Sequence, residues 1–389
     1  MKILLFAPQP FFQERGTPIA VKLLAESLAG QGHDVHLLVF AEGEDTALEK
    51  VRLHRAGKII GISGVKPGLS AKKLLCDVSF FFKAISLLRK HKFDIIHAVE
   101  ESVFMALVFK KIFAVPYICD MDSCMSAQIL DKFPRLGFLQ KSMQYLEKKA
   151  VSGSVGVMAV CNALADVATG YCPGKFTAII EDISLLDNEH TGDEDLRKQL
   201  DVDDDIVFMY VGNLETYQGI DLLLQSFALA CRQKTEKNLF LLLLGGSADD
   251  LLKYRKQLKE QKLESKVFFC GPRPVSLLGF YLAQADILVS PRVQGGNTPM
   301  KIYSYLDSGR PVLVTNLETH TQVLDSEIAC LVNAKAEDMA DAMIVLAGDK
   351  ALRERIAKRA RQRVQEEYSP LAFQRKLKSF YKQIACNIA

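Results

Sequence analysis

Ser290-Pro291-Arg292-Val293-Gln294-Gly295-Gly296-Asn297-Thr298-Pro299-Met300-Lys301 follows an apolar run at 287–289 and leads into Ile302-Tyr303-Ser304-Tyr305-Leu306. The stretch reads as a strand, a turn through two glycines, and a helix capped by Asn297 or Thr298 with Pro299 at an early helical position. That is one unit of a parallel sheet wrapped by helices. The same turn offers backbone N–H groups between Arg292 and Lys301. Such a setting suits a diphosphate, which is too charged to bury without donors. A plain capped helix with solvated basic residues explains the cap, but not a Gly-Gly turn set between cations.

Outward from this stretch the same rhythm recurs. Strands are expected at 206–211, 239–244, 267–270 and 312–314, with a helix at 219–230 and a long helical stretch at 336–367. Tyr368-Ser369-Pro370 breaks that stretch ahead of a terminal helix at 371–388. In the first half, strands at 2–7, 34–40, 93–97, 117–119 and 155–160 alternate with helices at 19–28, 72–90 and 140–151. Residues 181–205 form the most acidic stretch and mark a boundary. The fold class is α/β, with two doubly wound Rossmann-like domains at 1–185 and 186–367. The terminal helix, 368–389, is expected to cross back to the first domain.

Composition narrows the function. The chain has 389 residues, 49% hydrophobic and 24% charged, which is ordinary for a globular enzyme of two domains. A formal net charge of +3 is too small for a nucleic-acid-binding face. Nine scattered cysteines without a CxxC pair suggest neither a zinc site nor a disulfide framework and fit a reducing compartment. The apolar start is too short for a signal peptide, and no run reaches the roughly 20 residues of a membrane span. A cytoplasmic chain is expected.

No GxGxxG follows the first strand, and Gly174-Lys175 lacks the Ser or Thr of a P-loop. Gln13-Glu14-Arg15-Gly16-Thr17-Pro18 opens a helix and is either an anion-facing turn or an ordinary strand-to-helix turn. Asp120 and Asp122 follow a strand and read either as groups reaching a cleft or as a helix cap and a solvated partner. His97, Glu100 and Glu101, at another strand end, are acceptor-pocket candidates or loop polarity. Residues 66–92 hold seven Lys or Arg against one Asp, interleaved with Phe80, Phe81 and Phe82. They read as a peripheral membrane contact or as a sheet-covering helix with a basic outer side.

The chain resembles the retaining transferases of glycosyltransferase family 4, group 1. The resemblance rests on the glycine loop, Gly32-His33-Asp34-Val35, Asp94-Ile95-Ile96-His97, Val211-Gly212-Asn213-Leu214, Gly219-Ile220-Asp221-Leu222-Leu223 and Ala285-Asp286-Ile287-Leu288-Val289-Ser290-Pro291. It implies the GT-B fold, two domains facing across a cleft, with a nucleotide-sugar donor held mostly by the C-terminal one. It also implies no obligatory metal and no cofactor. Gly16 and Thr17 would face the donor phosphates, Arg273 the nucleotide base, and Gly296, Asn297, Thr298 and Pro299 the sugar and diphosphate.

The chain departs from the family pattern where basic residues and glutamates are usual. Asn213 and Gln218 stand beside Gly212 where many members carry Arg and Lys, and Gly296 and Ser304 stand where they carry glutamates. Asp122 is the best match to the family's histidine. The resulting expectation is a divergent member in which Arg292 and Lys301 draw off the diphosphate and Ser304 holds the ribose. Asp122 would orient the sugar, and His97, Glu100 and Asp120 would receive a glycan or lipid-linked acceptor. A nucleotide-sugar 2-epimerase and a non-catalytic sugar-binding relative are the alternatives.

Overall fold

A computed structural model describes residues 1–13, 16–65, 70–132, 134–186, 192–233 and 235–388. The chain divides into two units, Met1–Glu181 with Gln374–Ala389, and Asp182–Phe373. Residues 14–15 and 66–69, part of the loop and basic stretch singled out above, lie outside the described residues.

The first unit holds β1 (Lys2–Ala7), β2 (Asp34–Val39), β3 (Val51–Arg55), β4 (Ile95–Val99), β5 (Tyr117–Met121), β6 (Gly156–Ala159) and β7 (Thr177–Ile179). They form one parallel sheet in the order β3-β2-β1-β4-β5-β6-β7. The second unit holds β8 (Ile206–Val211), β9 (Leu239–Leu244), β10 (Val267–Gly271), β11 (Ile287–Ser290), β12 (Val312–Thr315) and β13 (Cys330–Val332). Their order is β10-β9-β8-β11-β12-β13. Each sheet therefore reverses direction once, between β1 and β4 and between β8 and β11. The carboxyl ends of strands at such a reversal form the crevice where doubly wound folds bind ligands.

Burial on both faces explains the unbroken apolar strands. Along β8, Ile206, Phe208 and Tyr210 pack with Leu223, Phe227, Met339 and Met343, while Val207 and Met209 pack with Ile302, Tyr303 and Val364. This alternation also corrects the long helix expected at 336–367. The chain forms Ala336–Gly348 and Lys350–Glu367, broken at Asp349, whose carboxylate accepts the Leu352 N–H at 2.8 Å. The break carries the chain from the face holding Met339 and Met343 to the face holding Ala360 and Val364.

Other differences are boundaries and omissions. The edge strands β3 and β13 and the helices Ser102–Phe113 and Asn162–Tyr171 are not among the elements named from the sequence. β4 runs two residues later than expected, and β5 two residues longer. These small shifts reassign side chains at the site.

Candidate active site

In the second unit the loops leaving β8 and β11 meet at the reversal. The Val293 N–H donates to the Tyr217 carbonyl at 3.0 Å. Gly219, at φ +75°, lies against the Pro291 carbonyl, where a Cβ would come within 1.9 Å. Only glycine permits that approach.

Arg292 builds the loop. Its Nε donates to the Gln294 carbonyl at 2.7 Å, and its Nη atoms donate to the Asn297 carbonyl and Oδ1 at 3.1 and 3.3 Å. Gly295, at φ +120°, is packed so closely on the guanidinium that a Cβ would meet Nη2 at 2.3 Å. Thr319 Oγ1 and Gln322 Nε2 hold the Asn297 and Gly296 carbonyls from the other side. Arg292 is thus largely engaged by the loop, rather than reaching freely for an anion. The helix that follows is also shorter than expected, Lys301–Asp307. Asn297 and Thr298 do not cap it and Pro299 lies outside it. The first-turn N–H groups of Ile302 and Tyr303 already donate to Pro299 and Met300.

Lys301, where this loop ends, is the second cation. Its Nζ donates to Gln218 Oε1 at 3.1 Å, lies 3.8 Å from the centroid of the Tyr210 ring, and abuts Gly212. Among the described residues neither Lys301 nor Arg292 forms an ion pair with a carboxylate. Burial therefore pushes the Lys301 ammonium well below its ordinary pKa, and the Arg292 charge adds to this. The same two cations help burial hold His320 neutral, with a pKa lowered to about 4. His320 links Ser290 Oγ at 3.0 Å to the Thr315 carbonyl at 2.9 Å. In the same loop Thr298, 3% exposed, has an Oγ1 without a hydrogen-bond partner among the described residues.

Of the expected donor contacts, one is corrected and one is already paired. Ser304 is fully buried and its Oγ accepts the Leu185 N–H at 2.9 Å, so it has no surface for a ribose. The Arg273 fork is closed by Glu194, with Nε and Nη2 donating to its carboxylate at 2.8 and 2.6 Å and Tyr281 Oη adding a third bond at 2.6 Å. These bonds hold the Glu194 carboxyl below its ordinary range. Asn213 stays at the β8 end, where its carbonyl accepts from Tyr210 Oη and its Oδ1 from the Glu215 N–H.

In the first unit Gly16 and Thr17 begin the helix Gly16–Gly30, three residues earlier than the apolar spacing indicated. His97 lies mid-strand in β4 and is fully buried; its Nε2 meets Asp120 Oδ2 at 2.9 Å and its Nδ1 meets Tyr381 Oη at 2.7 Å. Asp120 lies within β5 and is also buried. Both were expected to receive an acceptor; they instead anchor the terminal helix Pro370–Ile388 through Tyr381. Asp122 follows β5 and is half-buried. Glu100 alone of the three acceptor candidates keeps some exposure, at the β4 end beside the reversal, held at φ +51° with its N–H on the Asp120 carbonyl. Burial pushes its carboxyl pKa up, Lys73 opposes this, and Asp120 adds to it. Lys73 pairs with Glu101, and burial raises the neighbouring Asp77 to about 6.

Two family models match this chain. Residues 192–363 match "Glycosyl transferases group 1" and residues 15–179 match "Glycosyltransferase Family 4". The chain belongs to the group 1, family 4 glycosyltransferases. No curated protein matches it in sequence. Among solved structures it is similar in fold to sucrose-phosphate synthase from Thermosynechococcus elongatus, at 20% identity and TM-score 0.80 over 99% of both chains. Anabaena HepE, solved with UDP and glucose, aligns at 16% identity and TM-score 0.75 over 98% of this chain and 99% of its own. WaaG, a glycosyltransferase of lipopolysaccharide biosynthesis, aligns at 16% identity and TM-score 0.70 over 96% and 98%. The fold is GT-B.

Within this glycosyltransferase, the residues missed from sequence are Tyr210, Tyr217, Glu194 and His320. The tyrosines read as strand and loop positions, although Tyr210 faces Lys301 and Tyr217 lies 5.2 Å from the Arg292 guanidinium. Glu194 was one acid in an acidic stretch, and nothing local marked His320.

Proposed function

We propose that this glycosyltransferase moves a sugar from a nucleoside diphosphate sugar to a hydroxyl of a glycan or lipid-linked acceptor, in the cytoplasm, in the synthesis of envelope polysaccharide or glycolipid. The observation that carries the reading is the buried Lys301 ammonium with the Arg292 charge near it, on the loops at the carboxyl ends of β8 and β11, neither cation in an ion pair with a carboxylate among the described residues. A diphosphate brings the charge this setting lacks. Lys301 and Thr298 Oγ1 donate to it, and Arg292 keeps the loop in shape and adds its field. The bond between the sugar C1 and the phosphate oxygen breaks, and its electron pair stays on the diphosphate. The acceptor oxygen bonds to C1 and its proton passes to the departing phosphate. The family resemblance supports retention of anomeric configuration and a metal-independent route. By the family resemblance, Glu100 is the proposed acceptor contact and Asp122 the proposed group that orients the sugar.

HepE was solved with UDP-glucose as well as UDP, which makes uridine diphosphate sugars the first donors to try. The test is a thermal-shift screen against UDP, GDP, ADP, dTDP and their sugar conjugates, followed by product analysis with and without acceptor. A midpoint raised by one diphosphate, and sugar transfer only with an acceptor, support the reading. Turnover of the nucleotide sugar without acceptor would point to epimerisation instead.

A further inference from the structure

The first unit buries the helices Ala71–Lys90, Ser102–Phe113 and Gln140–Gly153 side by side on one face of its sheet. Phe80, Ala84, Phe109, Ala106, Ala150 and Val151 enter a common core with Phe6, Leu38 and Ala98. Phe81 stacks on Phe109 at 4.8 Å, and Lys110 Nζ donates to the Gly153 carbonyl at 2.8 Å, so the helices are neighbours and their outer sides form one surface.

That outer surface is apolar to an unusual degree. Leu74, Leu75, Val78 and Phe82 are exposed on the first helix, Phe82 to 64%, although Phe80 of the same run is fully buried. Val108 and Ile112 are exposed on the second. Phe138 at 78%, Leu139, Tyr145 and Leu146 are exposed on or just before the third. Contiguous apolar exposure of this kind marks an interaction site.

Charge identifies the partner. On the first helix the exposed charged side chains are Lys72, Arg89 and Lys90. The second exposes Lys110 and Lys111, and the third Lys141, Lys148 and Lys149. The acids of these helices, Asp77 and Glu147, are half-buried or buried. Glu147 accepts from the Ser126 N–H and from the Ser126 and Tyr171 hydroxyls, so it faces inward. In a chain that nearly balances 49 basic against 46 acidic residues, every exposed charged side chain of these three helices is basic.

We propose that these three helices form a docking face for an anionic lipid bilayer, with Leu75, Phe82, Phe138 and Tyr145 entering the headgroup boundary and the lysines resting on lipid phosphates. No helix among the described residues is long and apolar enough to cross a membrane, so the mode is surface binding. The proposal is independent of the donor site and fails or stands without it.

The experiment is flotation of the full chain with vesicles of phosphatidylcholine alone and of equal parts phosphatidylcholine and phosphatidylglycerol. Binding is expected to the mixed vesicles only, and to be lost at high salt. Lys148→Gln with Lys149→Gln lowers partitioning about 25-fold, from roughly a factor of five for each lysine near an anionic surface. Leu75→Gln with Phe82→Gln lowers it at least about tenfold through lost apolar burial. All four positions are exposed, and unchanged thermal midpoints show that the variants fold. Absence of binding to mixed vesicles, or variants that bind like the wild type, overturns the proposal. So does a dimer in sedimentation that Phe82→Gln dissociates, because the face is then covered by a second copy.

Discussion

Replacing Lys301 by methionine separates ligand recognition from folding. In the free protein the ammonium gains a hydrogen bond to Gln218 at 3.1 Å and a cation–π contact with Tyr210. Those interactions are worth about 1.5–3 and about 0.5–2 kcal/mol. Against them stand the several kcal/mol of removing an ammonium from water without a carboxylate, and repulsion from Arg292. The depressed pKa of Lys301 places the balance on the unfavourable side for the charged form. Lys301→Met keeps the volume and removes both sides of this balance, so the unliganded midpoint should move by no more than about 3 °C. Diphosphate binding loses a charge-assisted bond of about 1.5–3 kcal/mol, which is about 10- to 150-fold in Kd. At a hundred times the wild-type Kd, a ligand contributes about 2.7 kcal/mol to wild-type stability. The variant should retain at most about half of that. Thermal shift and titration calorimetry with UDP read both quantities. A midpoint that collapses while Kd is unchanged would refute the reasoning and make Lys301 a structural cation.

Binding should also take up protons. An arriving diphosphate favours charged Lys301, so its depressed pKa rises and affinity falls as pH climbs through the free-state pKa; calorimetry in buffers of different ionisation enthalpy should show net uptake that Lys301→Met removes. Gly219→Ala places a methyl against the Pro291 carbonyl at a positive φ and should cost more than about 2 kcal/mol in chemical denaturation while weakening UDP binding. Tyr381→Phe leaves His97 Nδ1 without its partner and should destabilise the first unit by about 1–3 kcal/mol without changing UDP affinity. His36 and His320 are both lowered from 6.5 to about 4, chiefly by burial. The unfolded chain binds more protons than the native one between those values, so stability should fall as pH drops from about 6.5 to about 4, with His36→Gln and His320→Gln each flattening the slope.

Alternating apolar strands and amphipathic helices made the doubly wound class legible, because burial on both sheet faces demands continuous hydrophobic runs wherever β8 or β9 crosses the core. The glycine turn at 295–296 and its flanking cations were legible for a similar local reason: tight turns need glycine, and an anion needs donors. Boundaries were less so. Two residues at β4 moved His97 from a strand end to mid-strand, and two at β5 drew Asp120 into the sheet. A pair expected at a pocket became the anchor of the terminal helix. Glu194 closing the Arg273 fork and the Leu185 N–H capping Ser304 could not be read locally, since each partner lies 79 or more residues away. Local order and residue type thus determined which elements form and where the glycine turn and its flanking cations lie. Only tertiary packing decided which polar groups remain for a ligand, because a donor or acceptor buried by folding must first satisfy its nearest partner in space.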